Sequence, residues 1–251
     1  MNRRIGVLNY KGGTGKTTTV VSLGAGLASR GKRVLCVDLD AQGSLATYLG
    51  IKYTHSLAHM LLGQASPRDC IVQARDKLDL IPSNNDLIQA EGNMWRLKNN
   101  GMAQQILSDK MQELNDEYDY IFLDFSPSAN LLSESGLRYV QELIVPVSMG
   151  YLAMVGVRQV IQRLKDITHG PNNCASLYLI IPTLYSNRQR QDREVLGILR
   201  SHFHGKVTEP VRKNVRLTEA PSHHQTIFEY SPSSKGAVDY TRLVERVLHD
   251  D

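Results

Sequence analysis

Residues 5–19 constrain the fold of this chain more than any other stretch. A short apolar run, Ile5–Leu8, leads into the glycine-rich segment Asn9–Gly15, and apolar residues at helical spacing follow Lys16. Phosphate oxygens are bound by converging backbone N–H groups, and glycines allow both the required dihedral angles and a close backbone approach. A helix beginning at Lys16 adds a dipole that favours an anion at its N-terminus. The order strand, glycine loop, helix therefore predicts a phosphate-binding loop.

The side chains of this loop suit a nucleoside triphosphate with magnesium. Lys16 is placed to neutralise the β- and γ-phosphates, and the Thr17 hydroxyl is placed to ligate Mg²⁺. The usual pattern G-x-x-x-x-G-K-[ST] has a glycine where this chain has Tyr10, and a second lysine, Lys11, follows it. A glycine turn with an accidental Lys-Thr is the alternative, but the strand before and the helix after favour a phosphate loop. Three glycines are placed to offer backbone donors: Gly12, Gly13 and Gly15.

Two further apolar runs end in carboxylates. Asp38 closes Val34–Asp38 and is followed by Asp40, while Asp124 closes Tyr120–Asp124. In a parallel sheet ligands bind beyond the carboxyl ends of the strands, so these side chains are expected near the phosphates. Asp38 and Asp40 project the same way from an extended chain, and either one could face the phosphates. An aspartate at a strand end can also cap a turn, but two such ends beside the loop favour a magnesium and nucleotide site.

Strand-length apolar runs alternate with segments of helical spacing, which predicts an α/β fold with a mostly parallel twisted sheet flanked by helices on both faces. We expect one domain over residues 1–251. The predicted strands are Arg4–Leu8, Arg33–Asp38, Leu78–Pro82, Tyr120–Asp124, Glu142–Val147 and Leu177–Thr183. The predicted helices are Lys16–Ser29, Ser56–Leu62, Met102–Asn115, Leu131–Tyr139, Tyr151–Asp166, Asp192–His202 and Ala237–His249.

Composition excludes several classes of protein. With 41% hydrophobic and 22% charged residues, the chain resembles a soluble globular protein more than a disordered one. No apolar run approaches the ~20 residues of a membrane span, so no membrane partner is expected and a cytoplasmic location is predicted. Trp95 is expected to be a packing residue. The cysteines form no CxxC pair and suggest neither a disulfide framework nor a metal cage; they are Cys36, Cys70 and Cys174.

Four sequence blocks together resemble the ParA/MinD family of deviant Walker A ATPases, and within it the ParA-type partition and cargo-positioning ATPases. Lys11–Thr18 fits the motif KGGxGK[ST]T. Asp38–Ser44 is similar to the family's switch I, usually D-x-D-P-Q-G-N, and Leu123–Ser128 to its Walker B and switch II, usually D-x-P-P-S. Asn214–Ser222 resembles a C-terminal NVRLSEAPS segment. The resemblance thus extends over nearly the whole chain.

The resemblance implies roles for individual residues. Lys16 would contact the nucleotide of its own subunit, and Lys11 would reach across an ATP-bound homodimer to the partner's phosphates. Asp40 would position the attacking water, and Asn214 would lie near the adenine. The implied Mg²⁺ residues are Thr17, Asp40 and Asp124. The implied ATP contacts are Lys11, Gly12, Gly13, Thr14, Gly15, Lys16, Thr17, Thr18 and Asn214.

The chain departs from the family pattern at three positions. Ala41 replaces the usual proline of switch I, Ser126 replaces the first proline of switch II, and Arg212 stands where proline is usual, two residues before Asn214. None of these changes removes a group that the chemistry needs, so ATP hydrolysis is expected.

Basic residues are concentrated near the C-terminus. Between Arg188 and Arg216 the chain has eight basic and three acidic residues, a net charge of +5, against +4 for the whole chain. Such a surplus is typical of a surface that binds the phosphate backbone of DNA without sequence preference, as ParA relatives do. A solvated helix face without a partner is the alternative. The candidate DNA-binding residues are Arg188, Arg190, Arg212, Lys213 and Arg216.

The resulting hypothesis is an ATPase whose ATP-bound dimer holds nonspecific DNA at the nucleoid. A ParB-like or adaptor protein on the cargo would stimulate hydrolysis and release. The sequence leaves a plasmid, a chromosome or a protein assembly such as a carboxysome open as the cargo.

The sequence disfavours a membrane-binding role and an iron–sulfur reductase role, and it leaves a metabolic enzyme open. A MinD-like membrane role needs a basic amphipathic end, but Val244–Asp251 is acidic at its tip. A nitrogenase-reductase-like role needs a cysteine shortly after Asp124, and Phe125–Leu132 contains none. A metabolic P-loop enzyme that passes phosphate to a small molecule remains the alternative.

Overall fold

The computed structural model describes residues 2–97, 102–150, 152–167 and 175–250. Its strands are β1 (Arg3–Val7), β2 (Val34–Asp38), β3 (Val72–Arg75), β4 (Leu78–Ile81), β5 (Tyr120–Asp124), β6 (Glu142–Ser148) and β7 (Ser176–Thr183). Its α-helices are α1 (Lys16–Ala28), α2 (Ser44–Leu49), α3 (Leu57–Leu61), α4 (Leu87–Leu97), α5 (Ile106–Met111), α6 (Leu131–Tyr139), α7 (Ala153–Ile167), α8 (Arg190–His202), α9 (Val215–Glu219), α10 (Ile227–Tyr230) and α11 (Lys235–His249). Short 3₁₀ turns lie at Arg68–Cys70, Met102–Gln104, Gln112–Leu114 and Ala220–His223.

The described strands form one seven-stranded sheet in the order β3-β4-β2-β5-β1-β6-β7. Every neighbouring pair is parallel except β3 and β4. Val7 of β1 and Asp38 of β2 both lie opposite Asp124 of β5, so three strand ends meet in one row. Segment 207–212 extends the edge beyond β7 through isolated parallel bridges.

Alternate residues of the central strands pack into two separate cores, one on each face of the sheet. Tyr120 and Phe122 belong to the core that is covered by α1 and α11. Ile121 and Leu123 belong to the core that α3 to α8 cover. Because both faces are buried, the central strands are continuous apolar runs rather than alternating ones.

The predicted fold class is confirmed, and the six predicted strands agree with the structure to within one residue at each end. The antiparallel edge strand β3 was not predicted, because its four residues, VQAR, form no apolar run. The helix predicted over Met102–Asn115 is broken into α5 and two 3₁₀ turns. Four helices were not predicted: α2, α4, α9 and α10.

Helix α4 also corrects one packing prediction. Its buried positions are Leu87, Ala90 and Met94, whereas the Trp95 side chain is 57% exposed, so the expectation that Trp95 packs in the core is wrong. Cys36 and Cys70 are buried free thiols. Tyr151 and Cys174, both named in the predictions, lie outside the described residues. In the described ranges, no helix combines the length and the apolar character that a membrane span requires.

Candidate functional site

The predicted phosphate loop lies between β1 and α1, with its glycines in the conformation that such a loop requires. Gly13 has a φ of 70°, and Gly15, the residue before α1, has a φ of 88°. These left-handed angles are costly for any residue with a Cβ. Lys11, Gly12 and Gly13 are exposed, so the outer edge of the loop faces solvent.

Two buried side chains anchor this loop to the neighbouring strands. Asn9, which is 2% exposed, donates from Nδ2 to the Pro146 carbonyl at 2.8 Å and accepts the Lys11 N–H at 3.0 Å. At the end of β7, the Thr183 hydroxyl donates to the Thr14 carbonyl at 2.9 Å. Neither residue was predicted from the sequence; the available signal was a polar side chain at the end of an apolar run.

The two lysines of the loop lie in different surroundings. Lys16 is 9% exposed, and its Nζ lies 3.5 Å from the Lys11 carbonyl oxygen, inside the loop. Burial lowers the pKa of Lys16, while the charges of Asp124 and Asp40 act in the opposite direction. The Lys11 side chain is exposed at the rim. Only Lys16 is therefore buried where the phosphates of its own loop would lie.

Asp124 presents an oxygen that the protein leaves without a partner. The Thr17 hydroxyl donates to Asp124 Oδ2 at 2.7 Å, while the buried Oδ1 has no hydrogen-bond partner among the described residues. Burial raises the pKa of Asp124 to about 7. A hydroxyl and a carboxylate oxygen at the end of a phosphate loop are ligands that Mg²⁺ prefers. The residues present fit this ion.

The structure separates the roles of Asp38 and Asp40. Asp38 is fully buried and accepts the N–H groups of Asp40 and Leu45 at 3.0 and 2.9 Å. Burial and the nearby Asp124 carboxylate raise its pKa well above the usual range. Asp40 is partly exposed, and its Oδ1 accepts the Gln42 N–H at 3.0 Å. Asp38 therefore fixes the backbone turn that follows β2, while Asp40 is the carboxylate that can contact a ligand.

A cavity of about 280 Å³ opens beside the phosphate loop. Gly13 and Thr18 line it from the loop side, and Leu184 lines it just beyond β7. Asn214 lies at its wall, where its Oδ1 accepts the Arg216 N–H at 2.9 Å and caps α9. The cavity has the position and size for a nucleoside attached to phosphates in the loop. The contact between Asn214 and adenine stays a prediction. We call this space the base-side cavity.

The basic residues predicted to bind DNA differ in their partners. Arg190 pairs with Glu194 at 2.6 Å and Arg216 with Glu219 at 2.8 Å, both on exposed helical surfaces. The side chains of Arg188 and Lys213 are exposed, and no acidic partner engages them within the described part of the chain.

Arg212 has a buried acidic partner, unlike the other predicted DNA-binding residues. Its guanidinium forms an ion pair with the buried carboxylate of Asp239 at 2.7 Å. The Arg212 side chain is still 40% exposed, so its contact with DNA stays a prediction. A count of charges along the chain could not reveal this pair, because the partner lies 27 residues away.

Taken together, a glycine loop between strand and helix, a buried lysine and a paired Thr17 and Asp124 define a P-loop ATPase. A family model described as an AAA domain matches residues 2–176. The chromosome-partitioning ATPase Soj of Thermus thermophilus is 37% identical over 98% of this chain and 95% of its own length. The sporulation initiation inhibitor protein Soj of Bacillus subtilis is 34% identical over 98% of each chain. The chain belongs to the ParA/MinD family of ATPases.

A solved structure extends the likeness to the ligands. The structure described as cobyrinic acid a,c-diamide synthase from Mycobacterium smegmatis, with bound ATP analogue and magnesium, is 31% identical. The structural match covers 99% of this chain and 95% of the M. smegmatis chain, with a TM-score of 0.83. As a member of this family, the chain is an ATPase that uses ATP and Mg²⁺.

Proposed function

We propose that this chain is a ParA-type ATPase that positions a cargo by holding DNA as an ATP-bound dimer and releasing it after hydrolysis. The observation that carries the proposal is the different setting of the two loop lysines. Lys16 points into its own loop, whereas the Lys11 side chain points to solvent at the loop rim, where the phosphates of a second subunit could receive it. A positive charge facing outward beside a triphosphate site favours ATP-dependent dimerisation.

Within this proposal the site residues divide the work of hydrolysis. The loop N–H groups and Lys16 hold the phosphates, and Thr17 with Asp124 holds Mg²⁺, which offsets the charge that develops on them. Asp40 orients water for attack on the γ-phosphate and completes the magnesium surroundings. The base-side cavity takes the nucleoside, beside Asn214.

The buried Asp124 gives magnesium binding a pH dependence. Without the ion its pKa is raised to about 7, and Mg²⁺ binds the ionised form, so below pH 7 the ion must displace a proton. We expect the apparent dissociation constant for Mg²⁺ to rise about tenfold per unit as pH falls below about 7, and to level off above it. Titration of ADP-bound protein with Mg²⁺ between pH 5.5 and 8.5, compared with the same titration of an Asp124→Asn variant, measures this, because the phosphate of ADP also titrates in this range. Equal affinity throughout that range would remove Asp124 from the magnesium site.

Partners and location follow from the same proposal. The relative from T. thermophilus, a chromosome-partitioning ATPase, supports a role in partition, and the cargo is a chromosome, a plasmid or a protein assembly. A ParB-like or adaptor protein on that cargo stimulates hydrolysis, and the ATPase is cytoplasmic and nucleoid-associated. Residues 1–251 act as one domain.

DNA retention tests the proposal most directly. We expect the protein to retain DNA of any sequence with ATP and Mg²⁺, and to lose it with ADP. The double variant Arg188→Ala, Lys213→Ala should reduce the slope of log affinity against log salt by about two, one for each lost phosphate contact. Lys52→Ala is the control, because Lys52 is an exposed lysine close to Ser83 and Asn84, just beyond β4, and β4 and β7 lie at opposite sides of the sheet. Filter binding at several salt concentrations measures the slopes.

Lys11→Ala separates dimerisation from nucleotide binding in the same assay. This variant should bind ATP but remain monomeric in sedimentation, and it should therefore not retain DNA. DNA binding that ignores ATP, or a Lys11→Ala protein that dimerises like the parent, would contradict the proposal.

The alternative function is that of a metabolic P-loop enzyme acting on a small molecule. The M. smegmatis structure supports it, because that protein is described as a synthase of a small molecule. An enzyme of that kind would pass phosphate to a small acceptor, and DNA would change neither its ATP turnover nor its oligomeric state. The DNA assay distinguishes the two functions.

A further inference from the structure

Segment 211–214 forms one wall of the base-side cavity and is held from two sides. On one side, the N–H groups of Val211 and Lys213 donate, at 2.8 and 2.9 Å, to backbone carbonyls at the end of β7 and just beyond it. On the other side, the backbone N–H, Nε and Nη2 of Arg212 donate hydrogen bonds to the carboxylate of Asp239 on α11. The wall is thus fixed to the sheet edge by its backbone and to α11 by one ion pair.

The Asp239 carboxylate is fully used by this contact. Its side chain is 2% exposed, and Oδ2 accepts both the Arg212 backbone N–H at 3.0 Å and Nε at 2.9 Å. Oδ1 accepts Arg212 Nη2 at 2.7 Å. A buried carboxylate is tolerated when it is paired and hydrogen-bonded in this way, and the two-pronged geometry requires the planar guanidinium of arginine. The hydrogen bonds to Asp239 also raise the pKa of Arg212.

Helix α11 touches the cavity at two other points close to this pair. Tyr240, the next residue, lines the cavity, and its hydroxyl lies 3.1 Å from the Thr19 hydroxyl of α1. A Cβ on Gly236 would lie 2.8 Å from Leu217 and 3.2 Å from Asn214 Nδ2, so the start of α11 packs directly against the cavity wall. A shift of segment 211–214 would therefore change the cavity itself.

We propose that Asp239 and Arg212 are positioning residues for the nucleoside half of the site: their ion pair fixes the wall 211–214, on which nucleoside affinity depends. The inference rests on the proposed assignment of the base-side cavity to the nucleoside. The phosphate loop has its own anchors, Asn9 and Thr183, so we expect it to bind phosphates without the pair. A proline at position 212 would stiffen the backbone but would supply neither the N–H nor the guanidinium donors.

Two variants test the inference while preserving most of the contact. Asp239→Asn keeps an oxygen acceptor of the same shape and removes the charge, and Arg212→Lys keeps the charge and removes the two-pronged geometry. We expect each to bind ATP and ADP roughly tenfold more weakly, the loss that corresponds to about one hydrogen bond. Inorganic tripolyphosphate, which has no base, should bind each variant and the parent equally. In steady-state assays KM for ATP should rise while kcat changes little.

Glu209→Gln is the matched control. It breaks the exposed ion pair with Arg200, at 2.7 Å, on the same edge segment but away from the base-side cavity, and all three ligands should bind it as they bind the parent. Unchanged ATP affinity in both test variants would overturn the inference. An equal loss of ATP and tripolyphosphate would show a general loss of structure and would also overturn it. If the unmodified protein binds tripolyphosphate as tightly as ATP, the nucleoside pocket itself is wrongly assigned.

Discussion

Lys16→Ala is expected to bind Mg-ATP at least a hundredfold more weakly than the parent protein, the loss expected when a charged hydrogen-bonding group is removed from a triphosphate. The remaining N–H donors of the loop would have to hold a tetra-anion without a buried positive charge. Burial lowers the pKa of Lys16, so a bound triphosphate would supply the compensation that the buried ammonium lacks in the free protein.

Isothermal titration calorimetry with a slowly hydrolysed ATP analogue measures this effect. Lys11→Ala is the internal comparison, because it removes the exposed lysine of the same loop and should leave affinity close to that of the parent. A Lys16→Ala protein with parental affinity would place the triphosphate somewhere other than this loop.

Asp40→Ala is expected to lower the rate of ATP hydrolysis at least a hundredfold, the effect expected when a positioned carboxylate no longer orients the attacking nucleophile. The groups that grip ATP remain, so the variant should stay dimeric and bound to DNA. Loss of the partly exposed Asp40 carboxylate leaves the buried Asp38 and its two backbone hydrogen bonds in place.

Asp40→Asn distinguishes catalysis from loop support. In the parent protein the Gln42 N–H donates to Asp40 Oδ1 at 3.0 Å. The asparagine oxygen can still accept this hydrogen bond, but the asparagine side chain carries no negative charge to orient water. If Asp40 orients water, both variants should be slow. If it mainly caps the turn, Asp40→Asn should hydrolyse ATP at nearly the parental rate, and Asp38 would be the next residue to test. Single-turnover rates with the DNA-bound fraction measured on the same preparation separate these outcomes.

The central part of the fold was predictable because local sequence and tertiary environment agree there. The strands β2 and β5 are buried on both faces, so their residues are apolar up to the last position, which is an aspartate in each. Parallel strands place those last positions at one edge of the sheet, which is why Asp124 and one of the pair Asp38 and Asp40 could be expected near the phosphates from the sequence. The resemblance to a family then supplied the separate roles of Lys11 and Lys16.

The contacts that sequence reasoning missed depend on partners distant along the chain. Asn9 is recognisable as a loop anchor only once Pro146 is known to lie beside it, 137 residues away. The positive charge of Arg212 is visible in the sequence, but its pairing with Asp239, 27 residues further along the chain, is not. Helix α4 was missed because its polar residues outnumber a narrow buried stripe of Leu87, Ala90 and Met94.

The row formed by Val7, Asp124 and Asp38 lies in the middle of the sheet, whereas the base-side cavity lies at the β7 edge. The centre of a sheet is its slowest part to open and the edge its fastest, as amide hydrogen exchange shows in proteins generally. A nucleotide that contacts both places would couple the fast-opening β7 edge to the slow-opening centre of the sheet. Release of the nucleotide would then let the β7 edge open, including the basic surface around Lys213, while the centre of the sheet stays closed.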